Sequence, residues 1–277
     1  QGHSLIFDGT TLAQHDVLVV TINYRLGPLG FLAHPWLSEE AASDSAVGTS
    51  GNYGLMDKIA ALQWVKRNIE VLGGDPQNVT IFGQSAGSQS VCSLMTAPSA
   101  QGLFHKAIGQ SAACVNQLTK ADANGHERGQ ALVDALGASS IEDLRGAEPD
   151  ALLVAMTKSN WESESRIVID GRVLPRWPHE VFAAGEQSDI PLMLGFLADE
   201  GYELFEVESA LTEAELQGFL EYVGGKRAAE LKAEYDAASM TPGELKHAIS
   251  TDLFMAYGMR QWASYHADAG QDTYLYF

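Results

Sequence analysis

Val79-Thr80-Ile81-Phe82-Gly83-Gln84-Ser85-Ala86-Gly87-Ser88 runs from a short apolar strand, through a tight turn, into the start of a helix. Gly83-Gln84-Ser85-Ala86-Gly87 is the only G-x-S-x-G in the chain. The bare pattern is weak, but between a strand and a helix it has the form of a nucleophile elbow. Flanking glycines let such a turn close without Cβ clashes, and the strained turn holds the Ser85 hydroxyl out above the sheet edge. At the helix start the Ala86 N–H points into the same space, where it can stabilise an oxyanion. The plainer alternative is a Ser-Gly N-cap turn after a strand.

Upstream, Val17-Leu18-Val19-Val20-Thr21-Ile22-Asn23-Tyr24-Arg25 is apolar on both faces at its start and reads as a strand buried in a parallel sheet. A loop rich in Gly, Pro and Ser is expected from Gly27 to about Asn52. Leu55, Ile59, Leu62, Trp64, Val65, Ile69 and Leu72 then recur at helical spacing up to Gly73-Gly74. Downstream, Lys106–Gln110 is strand-like, Gly129–Leu136 and Asp150–Met156 are amphipathic helices, and 166–174 reads as a strand or hairpin around Asp170-Gly171. Ile190–Phe196 is the next buried strand, two or three helices fill 211–267, and Thr273–Phe277 is a last strand. Alternating strands and helices with tight Gly turns predict an α/β fold, a mostly parallel central sheet covered by helices on both faces. The expected organisation is one domain over 1–277 with a helical insertion at 119–165.

Seventeen Lys and Arg against 36 Asp and Glu leave a net charge of −19, which repels a phosphate backbone and disfavours nucleic acid as a partner. No apolar run reaches the roughly 18 residues of a membrane span. Cys92 and Cys114 are too few for a disulfide scaffold and lack metal-ligand spacing, so Cys92 is expected to be a small buried apolar residue. Acids such as Glu203, Glu206, Glu208, Glu213 and Glu215 fall on expected exposed surface, where solubility explains them better than steering of cationic substrates. The start, Gln1-Gly2-His3-Ser4, says nothing about compartment, which stays open, as does oligomeric state.

Several segments resemble the type-B carboxylesterases, the cholinesterase-like branch of the α/β-hydrolase fold. They are Asp16–Phe31, Gly51–Ser88, Gly102–Ser111, Val168–Pro175 and Leu194–Phe205, in the family's order. Gln84 stands where many members carry Glu, a variation seen among bacterial-type esterases. The resemblance implies a serine carboxylic-ester hydrolase that uses no metal or organic cofactor and acts on a small-molecule ester. A non-catalytic adhesion or binding protein on the same fold is the rival reading. An esterase for a bulky natural-product or carbamate ester is another.

A serine nucleophile needs a base, and the base needs an orienting acid. Asp199-Glu200-Gly201 resembles the family's acid motif, with Glu200 as the triad acid and Asp199 as runner-up. Position supports Glu200 separately, because the strand Ile190–Phe196 delivers it to the carboxyl edge of the sheet. Chain order places the base after the acid, where only His247 and His266 occur, and both read as surface or packing residues. The resemblance implies a catalytic His past Phe277 and a His-Gly-Gly-Gly oxyanion loop before residue 1, so the chain is expected to be the central portion of a longer enzyme. His3 is not that motif's histidine. Ser111 resembles a family serine that hydrogen-bonds behind the triad; a strand-end turn serine is the alternative. Arg25 and Asp57 read as a structural ion pair, and Trp36, Trp161 and Trp177 as loop residues that line a pocket or anchor packing.

Overall fold

The computed structural model describes residues 5–44, 48–115, 119–120, 125–161, 167–200, 207–235 and 239–277. His3, the residue 166 start of the expected hairpin, Gly201 and the acids Glu203 and Glu206 lie outside them. In chain order the helices are α1 (Thr10–Ala13), α2 (Gly27–Phe31), α3 (Pro35–Asp44), α4 (Tyr53–Asn68), α5 (Ala86–Met95), α6 (His126–Leu136) and α7 (Ile141–Arg145). They continue as α8 (Pro149–Lys158), α9 (Pro178–Ala183), α10 (Glu213–Gly224), α11 (Ala228–Glu234), α12 (Pro242–Thr251) and α13 (Tyr257–Asp268). The strands are β1 (Thr80–Gln84), β2 (Lys106–Gln110), β3 (Thr119–Lys120), β4 (Val168–Ile169), β5 (Leu192–Gly195) and β6 (Thr273–Tyr276).

Four strands form one parallel sheet in the order β1-β2-β5-β6. Parallel neighbours need a crossover, and α5 supplies it between β1 and β2. β3 and β4 make a separate parallel pair, Thr119 opposite Val168. The buried side chain of Asn52 extends that pair: its Nδ2 donates to the Val168 carbonyl at 2.7 Å and its Oδ1 accepts from the Val168 N–H at 3.1 Å.

Helix α4 forms as expected. Leu55, Ile59, Leu62 and Val65 bury one stripe, and a 3-10 turn over Ile69–Leu72 ends at Gly73, whose φ of +89° suits a residue without Cβ. Helices α10 and α12 begin with Thr212 and Thr241, each closing a capping box with Glu215 and Glu244. Together α10, α11 and α12 bury a second small core of Leu216, Leu220, Ala228, Leu245 and Ile249. The region expected to hold two or three helices holds α10, α11 and one continuous helix, in which a π-helical turn over Asp252–Ala256 joins α12 to α13.

Two expectations are corrected. Val17–Arg25 forms no strand among the described residues; Val17, Leu18 and Val20 are 51%, 44% and 39% exposed. Strand-forming side chains make a strand only where a neighbour supplies the ladder. The expected loop from Gly27 to Asn52 contains α2 and α3, each with proline in its first turn, where the missing N–H costs nothing. Of the strand or hairpin expected over 166–174, the strand is present as β4 and a turn follows it, in which the Asp170 carboxylate accepts from the N–H groups of Arg172, Val173 and Leu174 at 2.9–3.0 Å.

The sheet is packed against helices, as expected. A Cβ placed on Gly109 of β2 would fall 2.5 Å from the Trp262 ring of α13 and 2.9 Å from Ser88 Oγ of α5, so both helices lie on the same face. Trp262 is fully buried there, edge-on to Phe182. On the opposite face Phe82, Ile108, Met193 and Tyr274 form one row across the strands, and Phe82, Met193 and Tyr274 are 54%, 45% and 58% exposed. No helix among the described residues is long and apolar enough to cross a membrane.

Candidate active site

Ser85 sits between β1 and α5 with φ +54° and ψ −120°, a conformation that an L-residue adopts only under constraint. It occupies the N-cap position of α5, yet its side chain makes no capping hydrogen bond. The hydroxyl is therefore not engaged as a cap. Its backbone is fixed on both sides: the Ser85 N–H donates to the Gln110 carbonyl at 2.9 Å, and the Ser85 carbonyl accepts from Gln89 at 3.0 Å. Ala86, exposed, is the first residue of α5, so its N–H belongs to the open positive end of the helix.

The steric demand for glycine in this turn falls on one position. A Cβ on Gly83 would come within 2.4 Å of the Gly87 backbone carbon, whereas one on Gly87 meets nothing among the described residues.

Glu200 follows β5 as expected. Its Oε1 accepts from Ser111 Oγ at 2.5 Å and from the Leu197 N–H at 2.8 Å. Ser111, immediately after β2, is buried with φ +53°, and its own N–H donates to the Gly195 carbonyl at 2.9 Å. Ser85 is thus bonded to residue 110 and Glu200 to residue 111, which brings nucleophile and acid candidates to adjacent positions at the carboxyl edge.

The two histidines after Glu200 differ. His247 on α12 bonds through Nε2 to Asp199 Oδ1 at 2.8 Å, so it meets the acid motif at Asp199 and not at Glu200. His266 is fully buried against Phe182; its Nε2–H donates to the Ile190 carbonyl at 2.8 Å and its Nδ1 accepts from Gln187 at 3.3 Å. Burial holds the His266 pKa below its ordinary 6.5, outweighing the Ile190 bond and nearby Asp189. The unfolded chain then takes up a proton that the folded one refuses, so stability is lost as pH falls below about 6.5 and stops falling below the depressed folded value. In an NMR titration the His266 ring signals are expected to show a midpoint below 6.5. Titration at or above that value would contradict the assignment as a neutral packing residue.

Cys92 is buried as expected but is not a lone apolar residue: it forms a disulfide with Cys114. Sequence reasoning missed this because the two lie 22 positions apart with a whole strand between them and no local signal to join them. Asp57 receives both the Nε and Nη2 groups of Arg25, at 2.8 and 2.7 Å, plus the Arg25 N–H, and this guanidinium holds its carboxylate below the ordinary range. The pair is structural and lies away from Ser85 in the bonding pattern. Trp161 and Trp177 are core residues. Trp177 also borders a cavity of about 500 Å³ with His179, Tyr257, Gln261 and Tyr265, and Trp36 borders one of about 440 Å³; neither is lined by Ser85 or Glu200. The described acids have local roles: Glu208 pairs with Lys246, Glu213 with Lys232, and Glu215 caps α10.

A model of the carboxylesterase family matches residues 1–277. The chain is 42% identical over 264 residues to the para-nitrobenzyl esterase of Bacillus subtilis (strain 168), covering 91% of this chain and 51% of that protein. It is 38% identical over 243 residues to the fumonisin B1 esterase of Sphingopyxis macrogoltabida, covering 84% and 43%. A crystal structure of a Geobacillus stearothermophilus carboxylesterase superimposes with a TM-score of 0.85 at 35% identity, over 99% of this chain and 58% of that one. The chain thus spans about half the length of these relatives.

Proposed function

The chain belongs to the carboxylesterase family, with its α/β-hydrolase fold, and we propose that it forms the core of a serine carboxylic-ester hydrolase. One observation carries the reading: an exposed serine hydroxyl, held at positive φ on a strand-to-helix turn, that caps nothing. Strain of this kind is retained where it positions a reacting group.

Ser85 Oγ attacks the ester carbonyl carbon, and a histidine base takes its proton. The carbonyl oxygen becomes an oxyanion beside the Ala86 N–H at the start of α5. Collapse expels the alcohol, which leaves with the proton, and an acyl group stays on Ser85. Water, deprotonated by the same base, attacks the acyl-enzyme and releases the carboxylic acid. Glu200 orients the histidine. Ser111 and the Leu197 N–H both bond Oε1, which leaves Oε2 to receive the imidazole N–H. The base itself is proposed to come from outside residues 1–277, since His266 is committed to Ile190 and His247 to Asp199. The mechanism draws on no metal or organic cofactor. The names of the two relatives, a para-nitrobenzyl esterase and a fumonisin B1 esterase, support a small-molecule ester as the substrate class.

A fluorophosphonate, which phosphonylates activated serines, tests the reading. One equivalent is expected to bind covalently to the whole protein, and a protein that binds none would favour a non-catalytic relative.

A further inference from the structure

Residues 110–114 lie along α5 in a regular register. The Ser85 N–H donates to the Gln110 carbonyl at 2.9 Å, Ser88 Oγ donates to the Ala112 carbonyl at 2.5 Å, and Cys92 is joined covalently to Cys114, whose N–H also reaches Cys92 Sγ at 3.0 Å. Ser88 and Cys92, four residues apart, share one face of α5, and Ser85 stands just before that helix. Gln110, Ala112 and Cys114 are the alternate residues that meet α5, with Ser111 at φ +53° between the first two. The intervening residues face elsewhere. Ser111 Oγ holds Glu200, and Ala113 packs on α13, where a Cβ added to Gly258 would lie 3.3 Å from its own Cβ.

We propose that the Cys92–Cys114 disulfide is a positioning device that pins the register of residues 110–114 on α5, so that Ser111 faces Glu200. This rests on the esterase reading above. The nucleophile rides on β1 and α5 and the acid on the turn after β5, so segment 110–114 is the piece that touches both. A shift of this segment along α5 would carry Ser111 Oγ away from Glu200 Oε1, which it meets at 2.5 Å. The hydrogen bonds at Gln110 and Ala112 can be exchanged for others during such a slip; the covalent bond at Cys114 cannot. Both cysteines are buried, at 0% and 3% exposure, so the bond is shielded from reagents in the folded protein.

The test compares oxidised and dithiol forms of the whole protein. A phosphine reduces the bond in denaturant, taking an oxygen from water to become the phosphine oxide and leaving two thiols. The protein is then refolded with phosphine present, beside a control refolded without it. Turnover of a short-chain nitrophenyl ester is measured for wild type and Ser111→Ala.

Reduction is expected to lower wild-type kcat by on the order of tenfold with KM changed by less than about twofold, because small misplacements of catalytic groups act on rate. Re-oxidation restores kcat. In Ser111→Ala the same reduction should change kcat by less than about twofold, since the bond acts through Ser111. A Cys92→Ala/Cys114→Ala variant, folded by circular dichroism, should match the dithiol form.

An unchanged wild-type kcat on reduction overturns the proposal, and so does an equal loss in both backgrounds. Loss of the folded spectrum in both the dithiol form and the Ala pair also overturns it, because the bond would then serve folding and not alignment. An oxidised wild type that turns over no ester overturns the esterase reading, and the positioning role with it.

Discussion

Ser85→Ala is expected to lower kcat for a short-chain nitrophenyl ester by about a millionfold, the scale on which losing a triad nucleophile acts. KM should change little, because the hydroxyl is consumed in the chemical step and not in holding the substrate. The substitution is clean on structural grounds. Alanine keeps the Cβ and so inherits the same strain at φ +54°, and the hydroxyl it removes makes no cap bond to α5. The thermal transition of the variant should therefore match that of wild type. A variant retaining more than about a hundredth of wild-type kcat would remove Ser85 from the mechanism.

Glu200→Gln is expected to cost about 10⁴-fold in kcat, the loss seen when the acid of a serine triad is replaced by its amide. Glutamine has the same shape, and its amide oxygen can still accept from Ser111 Oγ and the Leu197 N–H, so the turn after β5 stays in place. What disappears is the negative charge that stabilises the imidazolium in the transition state. Asp199→Asn is the matched control. Its carboxylate bonds His247 on α12, and its loss should reduce kcat by less than about tenfold. If Asp199→Asn proved the more damaging, the acid would be Asp199 and His247 would become the base.

The strand–turn–helix around Ser85 was legible because all its signals are local: an apolar run, two glycines and a helix within a dozen residues. Helix α4 was legible for the same reason, from one buried stripe and a terminal glycine. Chain position placed Glu200 at the sheet edge, but the Ser111–Glu200 contact was foreshadowed only by the resemblance, which puts a serine behind the triad. What stayed hidden is non-local. The apolarity of Val17–Arg25 announced a strand, but nothing within those residues specifies a ladder partner, and no strand forms there among the described residues. The Cys92–Cys114 bond joins a helix to a loop across β2, a pairing that only the folded geometry defines. The close packing of α5 and α13 on one face of the sheet depends on the small residue at Gly109, which permits it but does not announce it.

The measurement that bears most directly on the account is the site of a fluorophosphonate adduct. After reaction of the whole protein, proteolysis and mass spectrometry should place a single phosphonyl group on the peptide containing Gly83-Gln84-Ser85-Ala86-Gly87, and Ser85→Ala should carry none. An adduct on any other residue, or labelling that survives Ser85→Ala, would contradict the assignment of Ser85 as the nucleophile.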